Sequence, residues 1–216
     1  MDLKFEVTAS AKSDTELLDT IENRQKYLPE TIEASVAELK YRGHAFTDEE
    51  LKVINEDVAA HRQNANLKGQ RGGLFTNNFK KNIIEDPDAP AFYSRRVVYV
   101  FAFLFSTLFG SILLAMNIYK TDKPARMLWV LLFGVAYTAF EIIVGENMHS
   151  GSSPGILFSL VGAVILESFF WNQFIGNATF YRTRPIWVPL IIGVVLFAFI
   201  IWAMFYNGQS SIDFKP

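Results

Sequence analysis

The sequence predicts an all-α membrane protein: four transmembrane helices in an antiparallel bundle, preceded by a small N-terminal helical domain. Two observations carry this. Four hydrophobic runs fill the stretch from Val97 to Tyr206, separated by short polar breaks, and a spanning helix needs about 20 mostly apolar residues. Charge is divided in the opposite sense. Residues 1–66 hold 14 acidic and 8 basic side chains, a net of −6. Residues 67–96 hold 6 basic and 3 acidic, a net of +3, and only 6 basic and 5 acidic side chains remain from Val97 onward. The expected organisation is an acidic soluble helical domain (1–66), a basic linker and interfacial segment (67–96), a transmembrane domain (97–206) and a polar tail (207–216).

In the head, Leu3, Phe5 and Val7 alternate with Lys4 and Glu6, a pattern that predicts a short strand or extended arm. Three helices follow. Ser13 with Glu16 has capping-box spacing, and Leu17, Leu18 and Ile21 supply an apolar side. Pro29 suits a first helical position, since it has no N–H to lose there. Ile32, Val36 and Leu39 form the next stripe, and Gly43 suits the left-handed close of that helix. Thr47 with Glu50 repeats the box ahead of Leu51, Ile54 and Val58. So few aliphatic side chains make a thin core; the head reads as a solvated bundle or as a docking module.

The neck from Gln63 to Gly73 is rich in Asn, Gln and Gly and predicts a flexible linker. Lys80 and Lys81, set among Phe75, Phe79, Ile83 and Ile84, predict contact with an anionic membrane surface. Arg95 and Arg96 mark the membrane boundary. The four spans are Val97–Ile118, Met127–Val144, Gly155–Ile175 and Ile186–Tyr206. An even number of spans puts both termini on one side. The Lys and Arg count is then tied, with Lys80, Lys81, Arg95, Arg96 and Lys215 against Lys120, Lys123, Arg126, Arg182 and Arg184. Met1 to Lys12 lacks the basic start and apolar run of a signal peptide, so the N-terminus is expected in the cytoplasm.

Small residues at four-residue spacing, such as Ser106 and Gly110, Gly134 and Thr138, and Gly155, Ser159 and Ala163, predict close helix packing. Two acids stand out. Glu141 lies about a turn from the end of the second span and Glu167 past the midpoint of the third. A carboxyl at such depth costs several kcal/mol and faces the bundle interior or water. Either each is protonated and hydrogen-bonded across helices or reaches the headgroup zone, or they carry protons or cations or recognise a polar substrate, with Tyr137, Asn172 or water as relay partners. The spans offer neither acid an Arg or Lys partner.

No Cys is present, which excludes disulfides and thiolate chemistry. Glu146 and His149 have E-x-x-H spacing, but Gly145, Gly151 and Pro154 favour a loop, so no metal or cofactor is expected. No catalytic pattern appears, and no basic patch interleaves with aromatics as nucleic-acid binding would require. Two stretches carry a resemblance: Tyr27-Leu-Pro-Glu30 with Ala37-Glu-Leu-Lys-Tyr-Arg-Gly43, and Glu85-Asp-Pro-Asp-Ala-Pro-Ala-Phe-Tyr-Ser94 leading into Phe109-Gly-Ser-Ile-Leu-Leu-Ala-Met-Asn117. The chain resembles uncharacterised bacterial inner-membrane proteins with a short helical head and several spans. That resemblance implies location and architecture and brings no activity or site. The sequence thus points to a non-enzymatic anchor or assembly subunit in the cell (inner) membrane. Its cytosolic head would recruit a protein partner or a second copy. The alternative is a small proton- or cation-coupled transporter or channel subunit using Glu141 and Glu167.

Overall fold

The computed structural model describes residues 3–70, 82–121, 123–147, 154–176 and 179–210. Helix makes up 76% of the chain, so the fold is all-α apart from one minimal two-stranded pairing. Two compact units form. The first holds residues 1–92 and 170–183, the second 93–169 and 184–216.

The first unit begins with α1 (Leu3–Ser10). A helix thus replaces the strand expected there. The alternation is real, but burial selects the helical spacing Phe5 and Ala9 and leaves Leu3 and Val7 exposed. The two capping boxes form as read. In α2 (Asp14–Glu22) the Ser13 backbone N–H donates to Glu16 and the Glu16 N–H donates back to the Ser13 hydroxyl. Thr47 and Glu50 repeat this exchange ahead of α4 (Asp48–Gln70). Between them α3 (Pro29–Tyr41) carries Pro in its first turn. Gly43 follows it at φ +91°, where a side chain would be strained. Leu17, Ile21, Ile32, Leu39, Ile54 and Val58 close one core. Arg42 ties three helices through Asp14, Glu38 and the carbonyls of Ser10 and Lys12.

Two expectations about the neck change. Helix α4 runs through Gln70, so residues 63–70 are no flexible linker. Residues 82–92 belong to the first unit rather than to a linker. What fixes them is Asp86, which is fully buried. Leu28, at the cap position of α3, has no side chain able to accept a hydrogen bond. Asp86 accepts from the Leu28 N–H at 2.9 Å and the Thr31 hydroxyl at 2.6 Å instead, capping the helix from 58 residues away. Beyond it β1 (Ala91–Phe92) pairs in parallel with β2 (Arg182–Thr183). Phe92, Tyr181 and Trp171, the last from the one-turn helix α9 (Trp171–Phe174), pack ring against ring beside this pairing. Lys80, Lys81, Phe75 and Phe79 lie outside the described residues.

The second unit departs most from expectation. The first apolar run is not one helix. It divides into α5 (Arg95–Leu104) and α6 (Thr107–Ile118), with Phe105 and Ser106 between them. The two arms fold back on each other. A Cβ at Gly110 would overlap Ala102, and the Phe101 and Phe109 rings stack at 5.7 Å. The ends of the arms also meet. The Tyr93 N–H donates to the Asn117 Oδ1, and the Asn117 Nδ2 donates to the Tyr93 carbonyl, both at 2.8 Å with Asn117 fully buried. The run therefore starts and finishes at one place. Arms of 10 and 12 residues are about 15 and 18 Å long, against a hydrocarbon core of about 30 Å.

Helix α7 (Met127–Asn147) lies along α6, with Thr138 meeting Leu108 and Gly134 meeting Ser111. Helix α8 (Pro154–Ile165) runs antiparallel to α5, bringing Ser159 to Phe103 and Glu167 to Arg95. A π-helical turn, Leu166–Phe170, follows α8. Helix α10 (Trp187–Ser210) is exposed along most of its length, and Gly193 packs on the Phe105 ring. Among the described residues two helices are long and apolar enough to cross a membrane, Pro124–Gly145 and Gly155–Phe174, rather than the expected four. The first run fails because it is broken. The apolar part of the fourth, Trp187–Ala203, is shorter.

Two measurements check these contacts. Replacing Asn117 by Leu strands the Tyr93 N–H and carbonyl in a buried site, which should cost on the order of 2–4 kcal/mol; thermal unfolding of the purified chain should show a lower Tm, and an unchanged Tm contradicts the clasp. The second concerns pH. The Ser13 N–H and then its hydroxyl hold the Glu16 carboxyl below its ordinary value, and Thr47 does the same to Glu50. A depressed folded value means stability present above the unfolded carboxyl value of about 4.3 and lost as pH falls through the folded one. Protection of α2 and α4 from hydrogen exchange, taken relative to the intrinsic rate at each pH, should fall across that acid window, and the fall should flatten in Glu16→Gln and Glu50→Gln chains.

Candidate functional site

Broken helices carry orphan backbone groups, and the break at Phe105 and Ser106 satisfies them locally. The extended Ser106 accepts the Phe109 N–H on its hydroxyl and the Gly110 N–H on its carbonyl. The Leu108 N–H donates to the Thr138 hydroxyl at 3.1 Å, and the Phe103 carbonyl accepts from Ser159 at 3.1 Å. In an apolar medium non-helical backbone survives only with such partners. Thr138 and Ser159, predicted as small packing residues, thus serve the broken backbone.

Glu141 sits beside this tip. Its carboxyl faces the buried Thr107 hydroxyl at 3.4 Å, in the first turn of α6. The tip therefore combines a helix start, the hydroxyls of Ser106, Thr107, Thr138 and Ser159, and one carboxyl, a set able to hold a proton or a small polar group. Tyr137, expected as a relay, gives its single phenolic proton to the Phe158 carbonyl at 2.9 Å.

Glu167 has a different setting. It falls in the π turn and meets the Arg95 guanidinium at 2.8 Å, with both side chains about 15% exposed. Arg95 also donates to the Glu167 carbonyl, and Ser168 donates to the other carboxylate oxygen at 2.8 Å. This corrects the expectation that neither acid has a cationic partner. Arg95 was assigned to the membrane boundary, and the antiparallel course of α5 and α8 carries Glu167 to its level. The π turn adds one residue to the helix and rotates Glu167 toward α5. Only a pairing of α5 with α8 could have revealed this in the sequence. Arg96 is exposed beside it. Asn172 lies in α9, within the first unit. His149 falls outside the described residues, and no three of His, Asp and Glu converge among the described ones.

A second feature escaped sequence reading, a groove of ≈ 370 Å³ on the head between α2 and α4. Leu18, Ile21, Phe46, Val53 and Ile54 line it, and Glu22, Glu49 and Glu50 stand at its rim with Arg24 and His44.

No family model, curated protein or solved structure matches the chain.

The ion pair has a testable signature. Arg95→Leu alone leaves a mostly buried carboxylate unpaired and should destabilise the chain by roughly 3 kcal/mol. Arg95→Leu with Glu167→Leu should recover most of that loss, measured as a double-mutant cycle on unfolding midpoints. Additive losses contradict the pairing.

Proposed function

We propose that the chain is a multi-pass protein of the cell (inner) membrane, an anchor or assembly subunit whose helical head recruits a protein partner. The observation that supports this best is the head groove, because an apolar trough with a polar rim is a recognition feature. Three acids at its rim favour a basic amphipathic helix as the occupant, seated by Val53 and Phe46 and steered by charge.

A membrane setting is supported by the outer faces of α7 and α10. Leu128, Trp129, Leu132 and Val135 on one, and Val188, Ile191, Val195 and Ile200 on the other, are all more than half exposed. Water does not suit so continuous an apolar surface. The folded-back run also changes the topology. If α5 and α6 enter and leave on one face, Arg95, Arg96, Lys120, Lys123 and Arg126 share that face. Helix α7 crosses, α8 and its continuation cross back, and Arg182 and Arg184 join them. The β1–β2 pairing agrees, since it needs residues 92 and 182 on one side. Seven cations then flank one face, while residues 146–154 between the two crossings hold none. The excess makes the head side cytoplasmic. Helix α10 has 24 residues with its apolar part at Trp187–Ala203, and a crossing by it would carry the C-terminus to the other side.

A second reading rests on the tip of the broken run, where Glu141 could carry a proton or cation. A photo-crosslinker at Val53 in the full chain separates the two. The anchor reading predicts a cross-linked basic amphipathic helix, lost on Phe46→Glu, with Glu141→Gln silent. A conductance or uptake activity abolished by Glu141→Gln, with no cross-link at Val53, overturns it.

A further inference from the structure

In the second unit a groove of ≈ 320 Å³ opens where α6 ends and α7 begins. Its wall is apolar, formed by Ile112 and Met116 of α6 and Met127 and Leu131 of α7. Its mouth is cationic and amphipathic, formed by Tyr119, Lys120 and Arg184. Ile112 and Met116 are each about 40% exposed, so the wall is open to whatever surrounds the helices. Arg184 is held by stacking: its guanidinium carbon lies 4.9 Å above the Tyr93 ring. A guanidinium is a planar fork of N–H donors that matches phosphate oxygens, and its place over the Tyr93 ring sets it at the groove. Tyr93 is itself pinned by Asn117, so the folded-back run positions this arginine.

We propose that this groove binds an anionic phospholipid, with an acyl chain along Ile112, Met116 and Leu131 and the phosphate between Lys120 and Arg184. The occupant follows from the combination. An apolar trough alone would take any acyl chain, and two cations alone would take any anion. An apolar trough ending in two cations and a tyrosine at the membrane surface matches the length-wise polarity of an anionic lipid. The short connection holds Lys120, Lys123 and Arg126 against the single acid Asp122, so it is net positive, and Lys123 and Arg126 do not line the groove. The assignment rests on the membrane reading above.

The test uses the full chain in nanodiscs of phosphatidylcholine containing a minor fraction of phosphatidylglycerol, released for native mass spectrometry. The wild type should retain phosphatidylglycerol in clear excess over its share of the bilayer, and added salt should reduce that excess. Lys120→Gln with Arg184→Gln should lower the excess about tenfold, while Lys123→Gln, outside the groove, should change it little. Equal retention of both lipids by the wild type, or an undiminished excess in the double variant, overturns the site. If the double variant does not fold, the wild-type preference and its salt dependence decide alone. A chain that never enters the discs overturns the membrane reading instead.

Discussion

The exchange of two hydrogen bonds between Tyr93 and Asn117 is the contact on which the second unit depends. It makes the first apolar run finish where it began. Everything downstream follows from that closure. The break needs partners for its free N–H and carbonyl groups, and Ser106, Thr138 and Ser159 provide them. The arms need to approach closely, and the missing side chain at Gly110 lets Ala102 in. Helix α5 needs a neighbour, and α8 supplies one whose π turn meets Arg95 with Glu167. An isolated Asn in an apolar run costs free energy, so its retention at the base of two short arms is explained by the backbone it joins.

Closure also changes what the charges mean. Treated as four spans, the flanking cations divide evenly and orientation is undetermined. With the first run folded back, the connection carrying Lys120, Lys123 and Arg126 moves to the side of Arg95 and Arg96. In the proposed topology Arg95, Arg96, Lys120, Lys123, Arg126, Arg182 and Arg184 share one face, which is the basis proposed for a cytoplasmic head and for an anionic lipid at the α6–α7 groove.

Local signals were legible in the sequence. The two capping boxes, Pro29 in a first turn and Gly43 at positive φ all appear where residue chemistry puts them, because each involves groups within four residues. The long helix α7 was equally plain from its apolar length. What could not be read depended on partners far along the chain. Asp86 caps a helix that starts at Pro29, and nothing near Asp86 announces it. Arg95 pairs with Glu167 across 72 positions. The break at Ser106 was written in a serine able to cap, yet hydropathy runs straight through Phe105-Ser106-Thr107 and the run reads as one helix. The alternation of Leu3, Phe5 and Val7 misled for the opposite reason: a short segment fits two periods, and tertiary burial of Phe5 and Ala9 chose the helical one.

In the proposed topology the folded-back run places residue 123 on the side of the head, and thiol labelling tests this directly. The chain has no Cys, so single reporters can be placed without background. Cysteines at Lys40 in the head, Lys123 after the folded-back run and Ser150 between the two crossings would be labelled with an impermeant thiol reagent, in intact cells and in inverted membranes. The account predicts that Lys40→Cys and Lys123→Cys label only from the cytoplasmic face and Ser150→Cys only from the other. Labelling of Lys123→Cys from the face opposite Lys40→Cys would mean that the first run spans the membrane, and would contradict the account.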